Sequence, residues 1–301
     1  MNVVVTGGTG FVGRRVVETL LERGDAVCIV TRDAARLPST FHGLVETMSW
    51  DELDLSGKDA VVHLAGENIF AKRWSEDFKR RLRSSRVETT ERVVEALAKA
   101  EPRPSVFVCA SAIGIYGNQG EAELNEKSSA GNGLLAEIGQ AWEAAARQAE
   151  EHGVRSVQLR IGVVLGEGGG ALARMMGPFK AYLGGPVGGG KQWVSWVHVR
   201  DVARIVAFAL DHEKAKGPIN ATAPEPVRMK ELCSAFGKAI HRPSWMPVPG
   251  FALRLLYGPS AEVVLGSIRT RPSRLQELGF TFEFPQLQGA VEECLTELVV
   301  P

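Results

Sequence analysis

The stretch Thr6-Gly7-Gly8-Thr9-Gly10-Phe11-Val12-Gly13 decides the reading of this chain. Ahead of it stands Asn2–Thr6 (NVVVT), a β-branched run that suits a buried parallel strand. Behind it, a helical pattern runs from Phe11 to about Arg23, and Gly24 follows as a C′ glycine would. Glycines at 7, 10 and 13 therefore lie on a strand–turn–helix unit, the context in which such spacing has a physical meaning. Gly7 permits the tight turn, Gly10 lets the backbone approach a pyrophosphate, and Gly13 lets the helix lie close to the strand. The helix start adds free N–H groups and a positive dipole end. Gly7, Thr9, Gly10, Phe11, Val12 and Gly13 are thus the expected phosphate-side contacts. A tight turn with no ligand would not by itself require three glycines at these offsets.

Further strands are expected at Ala26–Thr31, Ala60–Ala65, Ser105–Ser111 and Ser156–Ile161. A long helix is expected from Ser75 to about Ala100, another around Trp142–Glu151, and another at Val199–Leu210. Strand and helix alternate. The expected fold class is therefore α/β: an NAD(P)-binding Rossmann unit, a doubly wound parallel sheet with helices on both faces. Glycines crowd 166–170 and 184–190, with Pro178 and Pro186 among them, so about 166–195 reads as substrate-side loops over the strand ends. The expected division is a dinucleotide-binding domain over 1–221 and a small C-terminal substrate lobe over 222–301.

The chain has 301 residues, 45% of them hydrophobic, enough for a sizeable core. Lys+Arg and Asp+Glu both number 35. No global basic field exists to attract nucleic acid or a membrane surface, which weakens an RNA-binding reading, and neutrality leaves a homodimer open. Cys28, Cys109, Cys233 and Cys294 form no CxxC pair and no metal-ligand cluster, so reduced, buried thiols in a cytoplasmic compartment are expected. No secretory leader is expected, and no apolar run reaches the roughly 18–20 residues of a membrane span.

Thr31-Arg32 ends the second strand. An acidic residue there would hydrogen-bond the ribose 2′-OH and favour NAD. Arg32, with Arg36 nearby, suits a 2′-phosphate by charge and by its planar donor fork, so NADP is the expected cofactor. A solvated surface arginine remains the alternative.

TGGTGFVG, Ser111–Gly117 (SAIGIYG), His198–Ala203 (HVRDVA) and Gly217–Asn220 (GPIN) resemble segments of the extended short-chain dehydrogenases. A closer resemblance is carried by HLAGENI (63–69), SRVETT (85–90), WEAA (142–145), RIGVVLG (160–166), GGGA (168–171) and GGP (184–186), in that order. Together they resemble the atypical epimerase-family branch, also called sugar-nucleotide-epimerase-like, over essentially the whole chain. The resemblance implies an oxidoreductase or epimerase-like protein acting on a small molecule, a nucleotide sugar being one class. It also implies further cofactor contacts at Leu64, Ala65, Arg86 and Val164. Leu64 and Ala65 could equally be plain core, and Arg86 a surface helix charge. Some relatives carry a cell-division-inhibitor label, which motivates the alternative of a non-catalytic, NADP-binding regulatory protein.

Short-chain dehydrogenases normally use Tyr-x-x-x-Lys, in which the lysine lowers the pKa of the tyrosine proton donor. Four residues after Tyr116, Tyr182 and Tyr257 stand Gly120, Pro186 and Ala261, so the motif is absent. Counting back from Glu143, the pair would fall near Leu135 and Gly139. The usual serine or threonine position is Ala112, with Ser111 one step away. The catalytic group is therefore unassigned, with Glu67 and Ser111 as candidates. Glu67 could instead be a loop carboxylate facing water, and Ser111 a strand-end serine. His198 is expected to pack structurally. Trp193 and Trp196 suit either a flat ligand or core packing.

Overall fold

A computed structural model describes residues 1–296. Seven parallel strands form the central sheet: β1 (Asn2–Thr6), β2 (Ala26–Val30), β3 (Glu46–Met48), β4 (Ala60–His63), β5 (Val106–Ala112), β6 (Arg155–Ile161) and β7 (Gly217–Ala221). Their order across the sheet is β7-β6-β5-β4-β1-β2-β3, so the direction of progression reverses between β1 and β4. That reversal opens a crevice at the carboxyl ends of these two strands. Val3 pairs with Ala60 and Thr6 with His63, which brings both strand ends level.

Helices cover both faces, and this is why the strands read as nearly unbroken apolar runs. On one face Val16, Val17 and Leu20 of α1 (Phe11–Glu22) and Ile205, Val206 and Ala209 of α6 (Val199–Asp211) pack on Val3, Val5 and Val62. On the other, Val93 and Leu97 of α3 (Val87–Lys99) and Trp142 and Ala146 of α4 (Leu134–Arg147) pack on Val4, Val61 and Phe107. Gly24 has φ +81°, the left-handed conformation expected of the residue that stops α1.

The long helix expected over 75–100 is two helices. The first, α2 (Glu76–Ser84), ends at Ser85, and α3 starts after Arg86. Side chains satisfy the broken end. Leu82 O accepts hydrogen bonds from Arg86 Nη1 (3.1 Å) and Ser85 Oγ (3.3 Å), while the same two side chains reach the backbone of Glu67. Periodicity cannot reveal such a break, because both halves keep one apolar face. The region 166–195 is also less loop-like than expected. Gly170–Lys180 forms a helix, α5, with Pro178 in its last turns. Leu172 and Phe179 recur on its buried side.

Beyond the sheet, α5, α7 (Met229–Ala239) and the helix Leu287–Thr296 enclose a second core around Trp196, Phe236 and Val291. Asp201, fully buried at the start of α6, ties this part to the sheet. Its carboxylate accepts the N–H groups of Glu283 (2.8 Å) and Phe284 (2.9 Å) and a 3.0 Å contact from Arg204. His198 packs as expected: it is buried, its ring lies 4.0 Å from that of Phe284, and burial pushes its pKa down to about 4. All four cysteines are free and buried. Among the described residues no helix is long and apolar enough to cross a membrane.

Candidate functional site

The three glycines of the turn meet different constraints. A Cβ on Gly13 would stand 2.1 Å from Gly7 O, and one on Gly7, which has φ +71°, would stand 2.7 Å from Leu64 C. Both are required by the protein's own backbone. A Cβ on Gly10 would meet only Gly7 O, at 3.2 Å, so nothing else within the protein occupies the space beside it. Gly10 is exposed and forms the N-cap of α1, with no side chain capping the helix and no acidic residue in its first turn. The first amides of a helix lack intrahelical acceptors, so this end is an uncovered, positively polarised cradle. A dinucleotide pyrophosphate fits it. Thr9 is half-buried, and its carbonyl accepts Arg14 Nε at 3.0 Å.

Thr31 lies just past the end of β2. Its hydroxyl is engaged locally, accepting Asp33 N–H at 3.2 Å and donating to Asp33 O at 3.1 Å. The Asp33 carboxylate accepts Ala35 N–H at 3.0 Å and so caps the turn Ala34–Arg36. Arg32 stands exposed between them. The Arg36 side chain lies outside the described atoms.

At the end of β4, Leu64 and Ala65 supply the backbone against which Gly7 turns. Leu64 also packs into both face cores. His63, fully buried, holds the two strand ends together. Its Nδ1 is 2.7 Å from Thr6 Oγ1, which also accepts Ala65 N–H at 3.3 Å, and its Nε2 is 3.4 Å from Thr89 Oγ1. Burial pushes the His63 pKa down to about 3, so the ring is neutral. A neutral ring accepts from Thr6 at Nδ1 and donates from Nε2, an assignment the hydrogen-bond pattern requires.

Arg86 is not a surface charge. Its guanidinium donates to Glu67 O (2.9 Å) and lies 5.3 Å from the centre of the Trp142 ring. Burial lowers its pKa to about 10, so it keeps its charge at neutral pH. Gly66 lies against it, with a Cβ position 3.5 Å from Arg86 Cζ. Arg86 thereby fixes the backbone that leaves β4 beside the crevice. Val164 belongs to a short strand, Val163–Leu165, that pairs with Trp196–His198. The following glycines close on the phosphate turn. Cβ atoms at Gly166, Gly169 and Gly170 would stand 2.8, 2.4 and 3.0 Å from the Phe11 ring.

The positions where the resemblance put the acid–base pair, Leu135 and Gly139, hold groups that cannot titrate. Leu135 packs on Gly114, with Leu135 Cβ 3.4 Å from that glycine's Cβ position. Gly139 is tighter against Ile115, with its Cβ position 3.0 Å from Ile115 Cβ. A side chain at 139 would push helix α4 away from the turn Ile113–Tyr116. Ser111 points into the interior and donates to Glu143 Oε1 at 2.8 Å. The Glu67 carboxylate is half-buried and bound to Arg81 at 2.7 Å. Trp196 is buried, with its Nε1 on Glu225 O, and Trp193 carries the guanidiniums of Arg228 and Arg269 3.9 and 4.5 Å from its ring centre. Both tryptophans are therefore committed to packing within the protein.

Sequence reasoning missed the network behind this wall. Arg160 Nε and Nη2 each lie 2.8 Å from a Glu143 oxygen, and Arg160 Nη1 donates to Tyr116 OH at 2.8 Å. The Tyr116 hydroxyl in turn reaches Asn220 Oδ1 at 2.8 Å. Burial acts to lower the Arg160 pKa, but the Glu143 carboxylate overrides it and the net shift is upward. The available signal was an arginine inside an apolar strand, SVQLRI, and a glutamate flanked by Trp142 and alanines.

The comparisons with known proteins agree with this geometry. The family model described as NAD dependent epimerase/dehydratase family matches residues 3–221, and a domain of unknown function, DUF1731, matches residues 248–294. The chain is 41% identical to the chloroplastic epimerase family protein SDR39U1 homolog of Arabidopsis thaliana, over 98% of this chain and 87% of that protein. The crystal structure of human epimerase family protein SDR39U1 (isoform2) with NADPH superposes with a TM-score of 0.91 at 35% identity, covering 98% of this chain and 99% of that one. A nucleoside-diphosphate sugar epimerase from Corynebacterium glutamicum gives a TM-score of 0.78 at 30% identity, over 98% of this chain and 58% of the other. A Rossmann-type parallel sheet, an uncovered glycine cradle and a match to most of its length place this chain in the NAD-dependent epimerase/dehydratase family, among the epimerase family proteins of the SDR39U1 type.

Proposed function

We propose that this protein binds NADPH across the crevice between β1 and β4 and presents it to a small-molecule substrate held between the strand ends and the C-terminal lobe. The observation that carries this reading is the Gly10 position: the protein leaves space there that its own packing does not need. The human relative crystallised with NADPH supports the choice of dinucleotide. In the proposed arrangement Gly7 and Thr9–Gly13 cradle the pyrophosphate. Arg32 meets the adenosine 2′-phosphate, Thr31, Leu64 and Ala65 line the adenosine side, and Arg86 and Val164 border the path to the nicotinamide. We take the lobes as 1–221, with a substrate-side insertion at about 166–195, and 222–301; the buried thiols suit a reducing compartment such as the cytoplasm.

Bound there, the cofactor would supply or accept hydride. The residues of this chain would orient it, exclude water and manage the proton, and Glu67 is the carboxylate proposed for that last role. A nucleotide sugar is the first substrate class to test, because the Corynebacterium structure bears that name. Titrating the protein with NADPH and NADH tests the binding, and absence of NADPH affinity overturns it. Hydride exchange from labelled NADPH into carbonyl compounds and sugar nucleotides tests turnover. One observation favours the alternative of binding without turnover: neither Leu135 nor Gly139 carries a group that can titrate. Tight NADPH binding with no exchange into any acceptor is the outcome that selects it.

A further inference from the structure

The ring of Phe11, in the phosphate turn, is gripped by backbone from the far side of the sheet's carboxyl edge. A Cβ on Gly166 would stand 2.8 Å from its tip, Cζ; one on Gly169, 2.4 Å from one edge, Cδ2; one on Gly170, 3.0 Å from the other edge, Cε1. The loop therefore meets the ring at its tip and along both edges, and it comes this close only because it carries no side chains there. Four of the five residues 166–170 are glycines, and Gly168 and Gly170 have φ of +69° and +66°. Glycine loses more conformational freedom on ordering than any other residue, so this stretch needs an outside contact to hold one conformation. Phe11 is the contact that Gly166, Gly169 and Gly170 share, with Val199 added at Gly166; a Cβ on Gly168 would meet nothing within 4 Å.

Phe11 is also the first residue of α1. Arg14 N–H bonds Gly10 O at 2.9 Å, so the amides of Phe11, Val12 and Gly13 come ahead of the helical ladder. One residue thus presents its amide to the phosphate site and its ring to the loop. The loop in turn joins two other parts of the molecule. Before it runs Val163–Leu165, the strand that carries Val164. After it begins α5, whose Phe179 meets Phe236 of the C-terminal lobe edge-on, with ring centres 4.9 Å apart. A phosphate held on the Phe11 amide fixes the direction of the Cα–Cβ bond and removes freedom from the ring. The loop then pays less to order around that ring. We infer that NADPH orders the 166–170 loop through Phe11, so that the wall facing the substrate is assembled once the dinucleotide is seated. This inference rests on the reading of the crevice as an NADPH site. Thermodynamic linkage makes the effect reciprocal: a loop closed on Phe11 tightens NADPH binding by the same factor. Gly166, Gly169 and Gly170 are accordingly positioning residues, acting on the cradle through the Phe11 ring.

Amide hydrogen exchange of the full chain, with and without saturating NADPH, tests this. NADPH should slow exchange across 166–170 by at least about fivefold in the parent, and should leave it unchanged in Phe11→Ala at NADPH concentrations that saturate that variant. Calorimetry on a second pair of variants reads the reciprocal effect. Gly169 has φ −166°, extended backbone that any residue adopts, so an alanine there is opposed only by the Phe11 ring. Gly169→Ala should weaken NADPH binding about fivefold with an unchanged melting temperature for the rest of the fold. Adding it to Phe11→Ala should weaken binding no further, because the ring through which it acts is gone. Absence of NADPH affinity in the parent overturns the reading of the site and this inference with it. NADPH binding with unchanged loop exchange overturns the inference alone, and so do additive losses in the double variant. Protection that persists in Phe11→Ala overturns it too, since the dinucleotide would then reach the loop without the ring.

Discussion

Arg160 grips Glu143 at two points inside the protein, with Nε and Nη2 each 2.8 Å from a carboxylate oxygen and both side chains at most 9% exposed. The pair links β6 to α4, and through Ser111 and Tyr116 it extends to β5 and β7. Breaking one side of such a pair leaves a buried charge without its partner. Arg160→Met should therefore cost about 3–5 kcal/mol, and urea denaturation should show it as a lower midpoint. A change below about 1 kcal/mol would mean that water replaces the guanidinium.

Gly13 and Gly10 should behave oppositely. Gly13→Ala puts a Cβ 2.1 Å from Gly7 O, between two backbones that cannot both yield. A loss of about 3 kcal/mol, the upper end of overpacking costs, is expected in thermal unfolding. Gly10 has φ −77° and ψ 171°, which any residue adopts. Gly10→Val should fold nearly as well as the parent but lose dinucleotide binding by calorimetry. Unchanged NADPH affinity in Gly10→Val would place the pyrophosphate elsewhere.

Arg32 should set cofactor preference. NADPH should bind more tightly than NADH, and Arg32→Ala should remove most of the difference, about tenfold to a hundredfold for a lost charge-assisted contact of roughly 1.5–3 kcal/mol. Equal affinities in the unmutated protein would sink this assignment.

Tyr116 should matter for stability and not for chemistry. It is fully buried, burial raises its pKa, and its hydroxyl is shared among Arg160, Asn220 and the Asn125 carbonyl. Tyr116→Phe should destabilise the fold by about 1–3 kcal/mol while leaving any hydride exchange intact. Carbonyl reduction that vanishes in Tyr116→Phe, with the fold preserved, would restore a tyrosine mechanism.

His63 gives the protein an acid-sensitive joint. Its folded pKa, about 3, lies below the ordinary histidine value of 6.5, so the unfolded chain takes up the proton first. Stability is therefore fully present above about pH 6.5 and is lost as pH falls toward 3, by up to about 1.4 kcal/mol per pH unit. His63→Asn keeps an acceptor toward Thr6 and cannot titrate. Its stability deficit relative to the parent, measured by denaturation between pH 7 and about pH 4, should shrink as the solution is acidified. A constant deficit would show that His63 takes up its proton alike in the folded and unfolded chains and is not held neutral by burial.

The sequence by itself determined five of the seven strands of the sheet, all but Glu46–Met48 and Gly217–Ala221, and the dinucleotide turn. Strand runs such as NVVVT and glycines at fixed offsets are local signals, because the backbone geometry of a strand–turn–helix unit involves neighbours along the chain. It also showed that no tyrosine has a lysine four residues later, which is a matter of spacing alone. Only the tertiary structure decided where the polar side chains went. Ser111, a candidate catalyst by position, turned inward because Glu143, 32 residues away, offered a buried acceptor. Arg86 broke a helix that periodicity had drawn as continuous, because the carbonyl of Glu67 and the ring of Trp142 were there to receive it. Buried charges and hydroxyls take whatever partner the fold brings within about 3 Å, and that choice depends on distant segments meeting, which no local pattern records.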